Sequence, residues 1–527
     1  MMRKQLLLIA MMLLPVAVCA DDSGVCGENL TYTFSERLAT LTIKGIGPMY
    51  NYGYYAEGVG ESPWRSYIKS IKNVTIEDGV TTIGNSAFEY GENINSVSIP
   101  ESVTSIGQQA FYNCQKLKSV DLKEGLQTIE EGAFLYGGLT SVSIPNSVKR
   151  IENGAFGGCV YLASITIPNT LEYLGTAFGG TSWYNSQREG MVYLGNWFYQ
   201  YKTYSGRSKE TRISIKEGTV GIASNAFKEI PNIASITIPD GVKSIGDGAF
   251  YGCVSLNSME FPNGITQIGN ELFYNCKNLT SVTIPNSVIS IGDNSFWNCA
   301  GLVTLSLPSG LESIGDYAFA CSGLQTISIP GISSVGVGAL QGCSALTSVI
   351  LGEGMKNISN HMFEKCSALT FLAIPNSVTT IGQNAFWMCE GLLSIVLGSG
   401  LQDIGEDAFL YSGITDLYCY AESVPTVGNH AFYMGESKIF YSMYGATLHV
   451  PAVSLEAYQT TRPWSLFSTI VPLVGGDPTP EGISQLASDT NAVECYFTID
   501  GKRVSQPQRG LNIVRMSDGG TKKVIVK

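Results

Sequence analysis

The chain has 527 residues, a formal net charge of −12 and only 14% charged residues against 44% hydrophobic ones. That length could hold several globular domains, but the absence of a basic patch excludes a phosphate-neutralising face and with it a nucleic-acid partner. An acidic balance of this kind speaks for solubility and names no ligand.

Residues 1–20 read as a signal peptide. Arg3 and Lys4 precede the apolar run QLLLIAMMLLPVAV at 5–18, and Val18-Cys19-Ala20 suits cleavage before Asp21. The run is too short and wrongly flanked for a stable membrane span, and no later stretch is longer, so the mature chain is expected to carry no transmembrane segment. Cys19 offers a second fate, a lipid-modified N-terminus, which the bulk of Val18 opposes.

Residues 21–76 are rich in aromatics, lack a period and end where a repeat begins, as an N-terminal cap should. From 77 to 432 one phrase recurs, as in LTSVTIPNSVISIGDNSFWNCAG at 279–301. Its anchor is Phe88, Phe111, Phe134, Phe156 and Phe178, then Phe227, Phe250, Phe273, Phe296 and Phe319. Leu340 replaces it once before Phe363, Phe386, Phe409 and Phe432. Most steps are 23 residues, with one jump of 49 between Phe178 and Phe227. Such a period predicts a solenoid whose units bury their apolar faces only against neighbours.

Within one unit, Val282 and Ile284 alternate with Ser281 and Thr283, the pattern of a half-buried strand that Pro285 ends. Asn286-Ser287 turns the chain and Val288 and Ile291 form a second apolar pair. Gly292 is expected to permit a tight bend, and Phe296 and Cys299 point inward from a short helical or irregular segment. Cys114, Cys159, Cys253, Cys276, Cys299, Cys343, Cys366 and Cys389 all sit three residues after the anchor. This column predicts buried free thiols rather than disulfides, and without paired C-x-x-C ligands no zinc site.

An aromatic insertion lies near 179–212. Residues 181–204 contain Trp183, Tyr184, Tyr193, Trp197, Phe198, Tyr199, Tyr201 and Tyr204. Trp183, Tyr184, Trp197 and Tyr199 are candidates for partner binding, since such side chains offer wide contact area with a polar tip. Alternatively, the segment is an elongated turn whose hairpin packs on the array.

The outward strand position is Ser98, Asp121, Ser143, Thr166, Thr237, Glu260, Thr283, Ser306 and Ser328 in the earlier units. It then becomes Ile350, Ala373, Val396 and Tyr418, with Phe371 on the same face. These five should form one apolar strip, which is either an interface or a surface covered by residues 433–447. A third column, directly after the anchor, holds Tyr112, Tyr251, Tyr274, Trp297 and Trp387, which either grip a ligand or shield the flank of the turns.

The chain closes with a C-terminal cap at 433–474, a linker at 475–483 and a small β module at 484–527.

The segment IPNSVTTIGQNAFWMCEGLLSIVL at 374–397 resembles the consensus of the BspA-type (bacterial surface antigen) leucine-rich repeat family. The likeness extends over about 26–474, including CGENLTYTF and ATLHVPAVSLEAY at its ends. The tail, with YFTIDGKRV, RGLNIV and KKVIVK, is similar to sorting domains of the type IX secretion route in Bacteroidota. The resemblance implies a β-rich leucine-rich repeat solenoid of about 23 residues per repeat, with short helical or irregular turns, capped at both ends. It also implies a bacterial protein on, or released from, the cell surface, associated with adhesion to host proteins or other cells.

Catalysis finds no support. His361, His430 and His449 stand outside any motif, and the phosphate-loop, G-x-S-x-G and H-E-x-x-H patterns are missing. Neither an enzyme activity nor a cofactor is expected. The leading reading is an exported surface protein that binds a host or bacterial macromolecule, a protein or a glycan. The competing one is an envelope scaffold without a dedicated ligand.

Overall fold

The computed structural model describes residues 22–53, 60–433, 445–475 and 477–480, and the backbone of the strands Val493–Thr498, Arg503–Val504, Gly510–Met516 and Thr521–Val526. Residues 1–20, read above as a signal peptide with Cys19, and most of the segment 433–447 lie outside the described residues. The chain divides into two compact units, Met1–Arg188 and Glu189–Lys527.

Most turns lay down two short strands that pair in parallel with strands of neighbouring turns, although the stretch 107–127 has none. In the first unit Ser141–Ser143 pairs with Ser164–Thr166, with Val142 buried between exposed serines. Arg150–Ile151 pairs with Thr128–Ile129 on one side and Tyr173–Leu174 on the other. The second unit repeats the scheme, for example Ser258–Glu260 on Ser281–Thr283 and Gln267–Ile268 on Ser290–Ile291. Because equivalent residues pair from turn to turn, most inward columns hold one chemical type and the core is a stack of similar layers.

The anchor segment is irregular rather than helical, for a definite backbone reason. The residues two before and two after the phenylalanine are left-handed: Gln109 (φ 53°) and Asn113 (φ 59°) flank Phe111, and Asn294 (φ 54°) and Asn298 (φ 55°) flank Phe296. Asn tolerates this region better than most residues, and Gly154 and Gly158 serve around Phe156. Every second amide is thereby turned to the next rung. Asn294 N donates to Asp316 O (2.8 Å), Phe296 N to Ala318 O (2.7 Å) and Asn298 N to Ala320 O (2.9 Å). A helix would have spent those donors within its own turn.

The anchor rings stack at rung spacing. Phe88, Phe111, Phe134, Phe156 and Phe178 follow one another at 5.1–5.3 Å between centroids. In the second unit Phe227 to Phe319 run at 5.4–5.8 Å, Leu340 interrupts, and Phe363 to Phe432 resume at 5.0–5.6 Å. Large rings close two ends. Trp64 stacks on Phe88 at 5.6 Å and donates its indole N–H to Ala87 O, while Trp464 packs on Phe432 at 5.2 Å and donates to Pro425 O.

The cysteine column is buried and free. Its thiols do more than fill space: each donates to the anchor carbonyl of the preceding turn, as Cys276 does to Phe250 O (3.1 Å) and Cys299 to Phe273 O (3.2 Å). Burial pushes the Cys299 thiol up to about 12, so it stays protonated and able to donate.

Gly292 differs from expectation. It does not need a positive φ; a Cβ there would lie 2.5 Å from Asn270 Oδ1 of the turn below. The glycine is required by close approach of successive rungs, not by a bend.

The backbone of the C-terminal strands forms a four-stranded antiparallel sheet in the order Arg503–Val504, Val493–Thr498, Gly510–Met516, Thr521–Val526.

Candidate functional site

The aromatic insertion is shared between the units. In the first, the helix Ser182–Ser186 is capped by Thr181, whose Oγ1 accepts Tyr184 N (3.1 Å), and Trp183 meets Phe178 edge-on at 6.1 Å. Trp183 and Tyr184 are half-buried. In the second, Gly190–Leu194 and Trp197–Lys202 form an antiparallel hairpin, and Trp197–Lys202 continues in parallel with Gly221–Ile222. Trp197 and Tyr199 are buried there, with the Trp197 ring laid over Gly221. Tyr204 is the strongly exposed aromatic of the segment, at 77%.

The outward strand column changes character along the second unit. Thr237, Glu260, Thr283, Ser306 and Ser328 are exposed, whereas Ile350, Phe371 and Ala373 are half-buried and Val396 and Tyr418 are buried. Register aligns Ala373 with Val396, Val396 with Tyr418, and Tyr418 with His449. The Tyr418 and His449 rings stack at 4.2 Å. The strip therefore runs on from Tyr418 to the imidazole of the last strands.

The column after the anchor is a ring stack of its own. Lys228 Nζ stands 4.5 Å over Tyr251, Tyr251 lies 4.6 Å from Tyr274, and Tyr274 lies 4.5 Å from Trp297 with planes 12° apart. In the first unit Tyr112 is the ring of this column, and it meets edge-on Tyr90 and Tyr136, each two residues after its anchor, at 5.2 and 5.7 Å.

Each histidine finds its carboxylate across or within turns, which no local motif announced. His361 Nδ1 is 2.6 Å from Glu364 Oε2, His430 Nδ1 3.5 Å from Asp407 Oδ1, and His449 Nε2 3.5 Å from Asp416 Oδ1. Burial raises the Glu364 carboxyl, but hydrogen bonds to His361, Gln341 and Lys365 outweigh it and hold the group below its ordinary value. Donor atoms of Glu406, Asp407 and His430 gather within 4.8 Å, but Glu406 and His430 are exposed and the grouping resembles ordinary surface charge.

Sequence reasoning also missed an amide-capping ladder. The residue after the rung glycine accepts the backbone N–H of its successor one turn on: Asp247 Oδ1 from Asn270 N, Asn270 Oδ1 from Asp293 N, Asp293 Oδ1 from Asp316 N, all at 2.7–2.8 Å. The signal was present as an Asn/Asp column directly after Ile-Gly.

The parallel two-strand turn, the anchor stack and the glycine column together define a repeat, and its sequence matches the family described as "BspA type Leucine rich repeat region" over residues 65–183, 220–343 and 321–438, in six copies. The chain belongs to the BspA-type leucine-rich repeat family. Solved structures similar to it include a leucine-rich repeat protein from Bacteroides ovatus, at 21% identity over 85% of this chain and 100% of that one, with a TM-score of 0.37. One from Eubacterium ventriosum is 22% identical over 75% and 95%, with a TM-score of 0.30. A leucine rich cell surface protein from Faecalibacterium prausnitzii is 18% identical over 80% and 97%, with a TM-score of 0.25. No curated protein sequence matches the chain. Among the described residues of this BspA-type protein, no helix is long and apolar enough to cross a membrane.

Proposed function

We propose that this BspA-type chain is an exported, non-enzymatic surface protein that binds a host or bacterial macromolecule through the outward strand face of its second unit. The observation that carries the reading is the passage from exposed Thr283, Ser306 and Ser328 to half-buried Ile350 and Ala373 at the outward strand position, with half-buried Phe371 on the same face. Apolar side chains replacing Ser and Thr on an otherwise polar face are a feature of recognition surfaces. Val396 and Tyr418 anchor the strip from beneath rather than meeting a partner directly. In this reading residues 1–20 direct export and residues 484–527 act as the sorting module.

The test is the double variant Ile350→Ser with Phe371→Ser, displayed on cells and scored for retention on host matrix proteins and partner cells. Retention should fall at least tenfold with the fold intact. Undiminished retention overturns the role of the strip, and self-assembly without any saturable partner would favour a scaffold. Deleting 484–527 should abolish display; normal display of the shortened chain removes the sorting reading.

A further inference from the structure

Two residues after the anchor the backbone is left-handed, and the first unit fills that place with Asn113, Gly158 and Gly180 on three of its rungs. Asn and Gly tolerate this region. At Tyr90 (φ 61°) and Tyr136 (φ 58°) the same place carries a bulky ring instead. Large side chains held in this region are strained, and such outliers concentrate where a surface is used. Burial does not offset the strain, since Tyr90 is 36% exposed and Tyr136 52%.

Tyr112, on the rung between them, meets both edge-on, with planes 74° and 83° apart. The three rings therefore make ridges and clefts rather than a flat platform. Their row has two different ends. At Tyr90 the Arg65 guanidinium lies 4.9 Å over the ring and donates to Glu89 O at 2.8 Å. Among the described residues no carboxylate forms an ion pair with it. At the other end the Tyr136 ring lies against Gly158, whose Cβ would fall 2.3 Å from it. Beyond that, exposed Gly180 has only the Gly158 backbone near the place of its own Cβ. The column raises no side chain past Tyr136, and a chain laid over the row can run on in that direction.

We propose that this tyrosine row is a docking site for a proline-rich segment of a partner protein, with an acidic residue at the end that meets Arg65. Rungs about 4.8 Å apart put Tyr90 and Tyr136 about 9.6 Å from each other. A polyproline II helix repeats every three residues, or about 9.3 Å. Prolines at i and i+3 thus meet Tyr90 and Tyr136 in the same way, with Tyr112 between them. The backbone carbonyls of such a helix are free to accept from phenol O–H groups, and its preformed shape lowers the cost of ordering. The guanidinium without a carboxylate partner suits an acidic side chain. Edge-on rings give a sugar face nothing flat to stack on. The row belongs to the first unit and the strip at 350–418 to the second, so either can fail without the other.

The test uses the full chain and fluorescein-labelled peptides with prolines at i, i+3 and i+6, in two series with a terminal Glu at the N- or the C-end, read by fluorescence anisotropy. At least one series should bind saturably, and moving its prolines to i, i+4 and i+8 should weaken it at least tenfold. Tyr90→Asn and Tyr136→Asn install the residue that Asn113 already supplies at this backbone conformation, so the fold is kept. Each should weaken binding at least tenfold. Arg65→Gln should weaken the Glu-ended peptide at least threefold and leave a Gln-ended counterpart unchanged, while Tyr251→Ala in the second unit should alter neither. The proposal is overturned by absence of saturable binding, by equal affinity for the two proline spacings, or by unchanged affinity in Tyr136→Asn. Neutral oligosaccharides held by the row in place of the peptides would overturn it as well.

Discussion

The two units begin in different ways. The first starts with three antiparallel strands, Asp22–Gly27, Leu30–Ser35 and Thr40–Gly45, the last of which pairs in parallel with Asn73–Ile76. Gly47–Pro48 pairs with Val80–Ile83, so both strand columns of the first turns receive a cap. The second unit starts with the hairpin Gly190–Leu194 and Trp197–Lys202, which serves only the column of Gly221–Ile222. On the other column Arg212–Ser214 is the first strand, and among the described residues it pairs only with Ser235–Thr237. In each unit a ring is laid on the first anchor: Trp64 on Phe88 at 5.6 Å, Phe198 on Phe227 at 4.7 Å. A repeat array must cover its terminal layer and satisfy its edge, and a departure from the repeat is as readily a cap as a recognition loop.

The largest expected contrast between the units is in alkali. The first holds the buried thiols Cys26, Cys114 and Cys159; the second holds Cys253, Cys276, Cys299, Cys343, Cys366, Cys389 and Cys419. Burial raises all of them, to about 12 for Cys159 and Cys253. A raised thiol contributes stability that is intact below the unfolded value and is lost as pH rises toward the folded one. The window therefore opens near pH 9 and runs to about 12. Each thiol removes about 1.4 kcal/mol per pH unit there, so the second unit should lose about 5 kcal/mol per unit more than the first. Hydrogen exchange in the two sets of rungs at pH 9 and 10 measures this; equal losses would break the contrast.

Trp64→Ala should cost about 4 kcal/mol in the rungs beside Phe88, since it removes a fully buried indole with its bond to Ala87 O. Phe198→Ala should cost about 3 kcal/mol beside Phe227. Denaturant-dependent exchange at Phe111 and Phe250 amides reads the two. A negligible effect of Phe198→Ala would show that the hairpin is not a cap.

How much of this was legible follows from what repeats. The strand column, the anchor and the thiols were readable because stacking imposes the same residue at each rung; Phe296 and Cys299 are fully buried as their periodicity required, and Val282 and Ile284 pack against the core but are only half-buried. The hairpin that carries Phe198 was one of the two readings of the aromatic insertion, but the seat of Phe198 on Phe227 was not legible, because such a layer occurs once per unit and leaves no period. The pairing of His361 with Glu364, and the approach of His430 to Asp407 one turn away, depend on side-chain directions that spacing alone does not specify. Gly292 was legible as a glycine but not for its reason, because the atom it avoids belongs to the preceding turn.

Gly221→Ala probes the hairpin from the other side. The new Cβ would lie 2.5 Å from the Trp197 ring, and Trp197 must shift or leave its seat. About 2 kcal/mol is expected, and emission from the buried Trp197 should move toward red. No shift would mean that the hairpin adjusts freely and holds its unit loosely.

The smallest effect should be alike in the two units, which makes it the sharpest check on the comparison. Asn270 Oδ1 accepts Asp293 N at 2.8 Å in the second unit, and Asn153 Oδ1 accepts Thr176 N at 2.9 Å in the first. Both bonds sit at the partly wet turn edge, where a lost hydrogen bond costs about 1 kcal/mol. Asn270→Ala and Asn153→Ala should each speed exchange of the one amide they cap, several-fold, and barely touch rungs further away, since an array passes stress only to neighbours. Asn153 also accepts the Thr176 hydroxyl at 3.0 Å, so its removal should cost slightly more. A loss at Asn270 that spread through the second unit, with none spreading at Asn153, would mean that the singly capped start leaves its rungs less firmly coupled than those of the first.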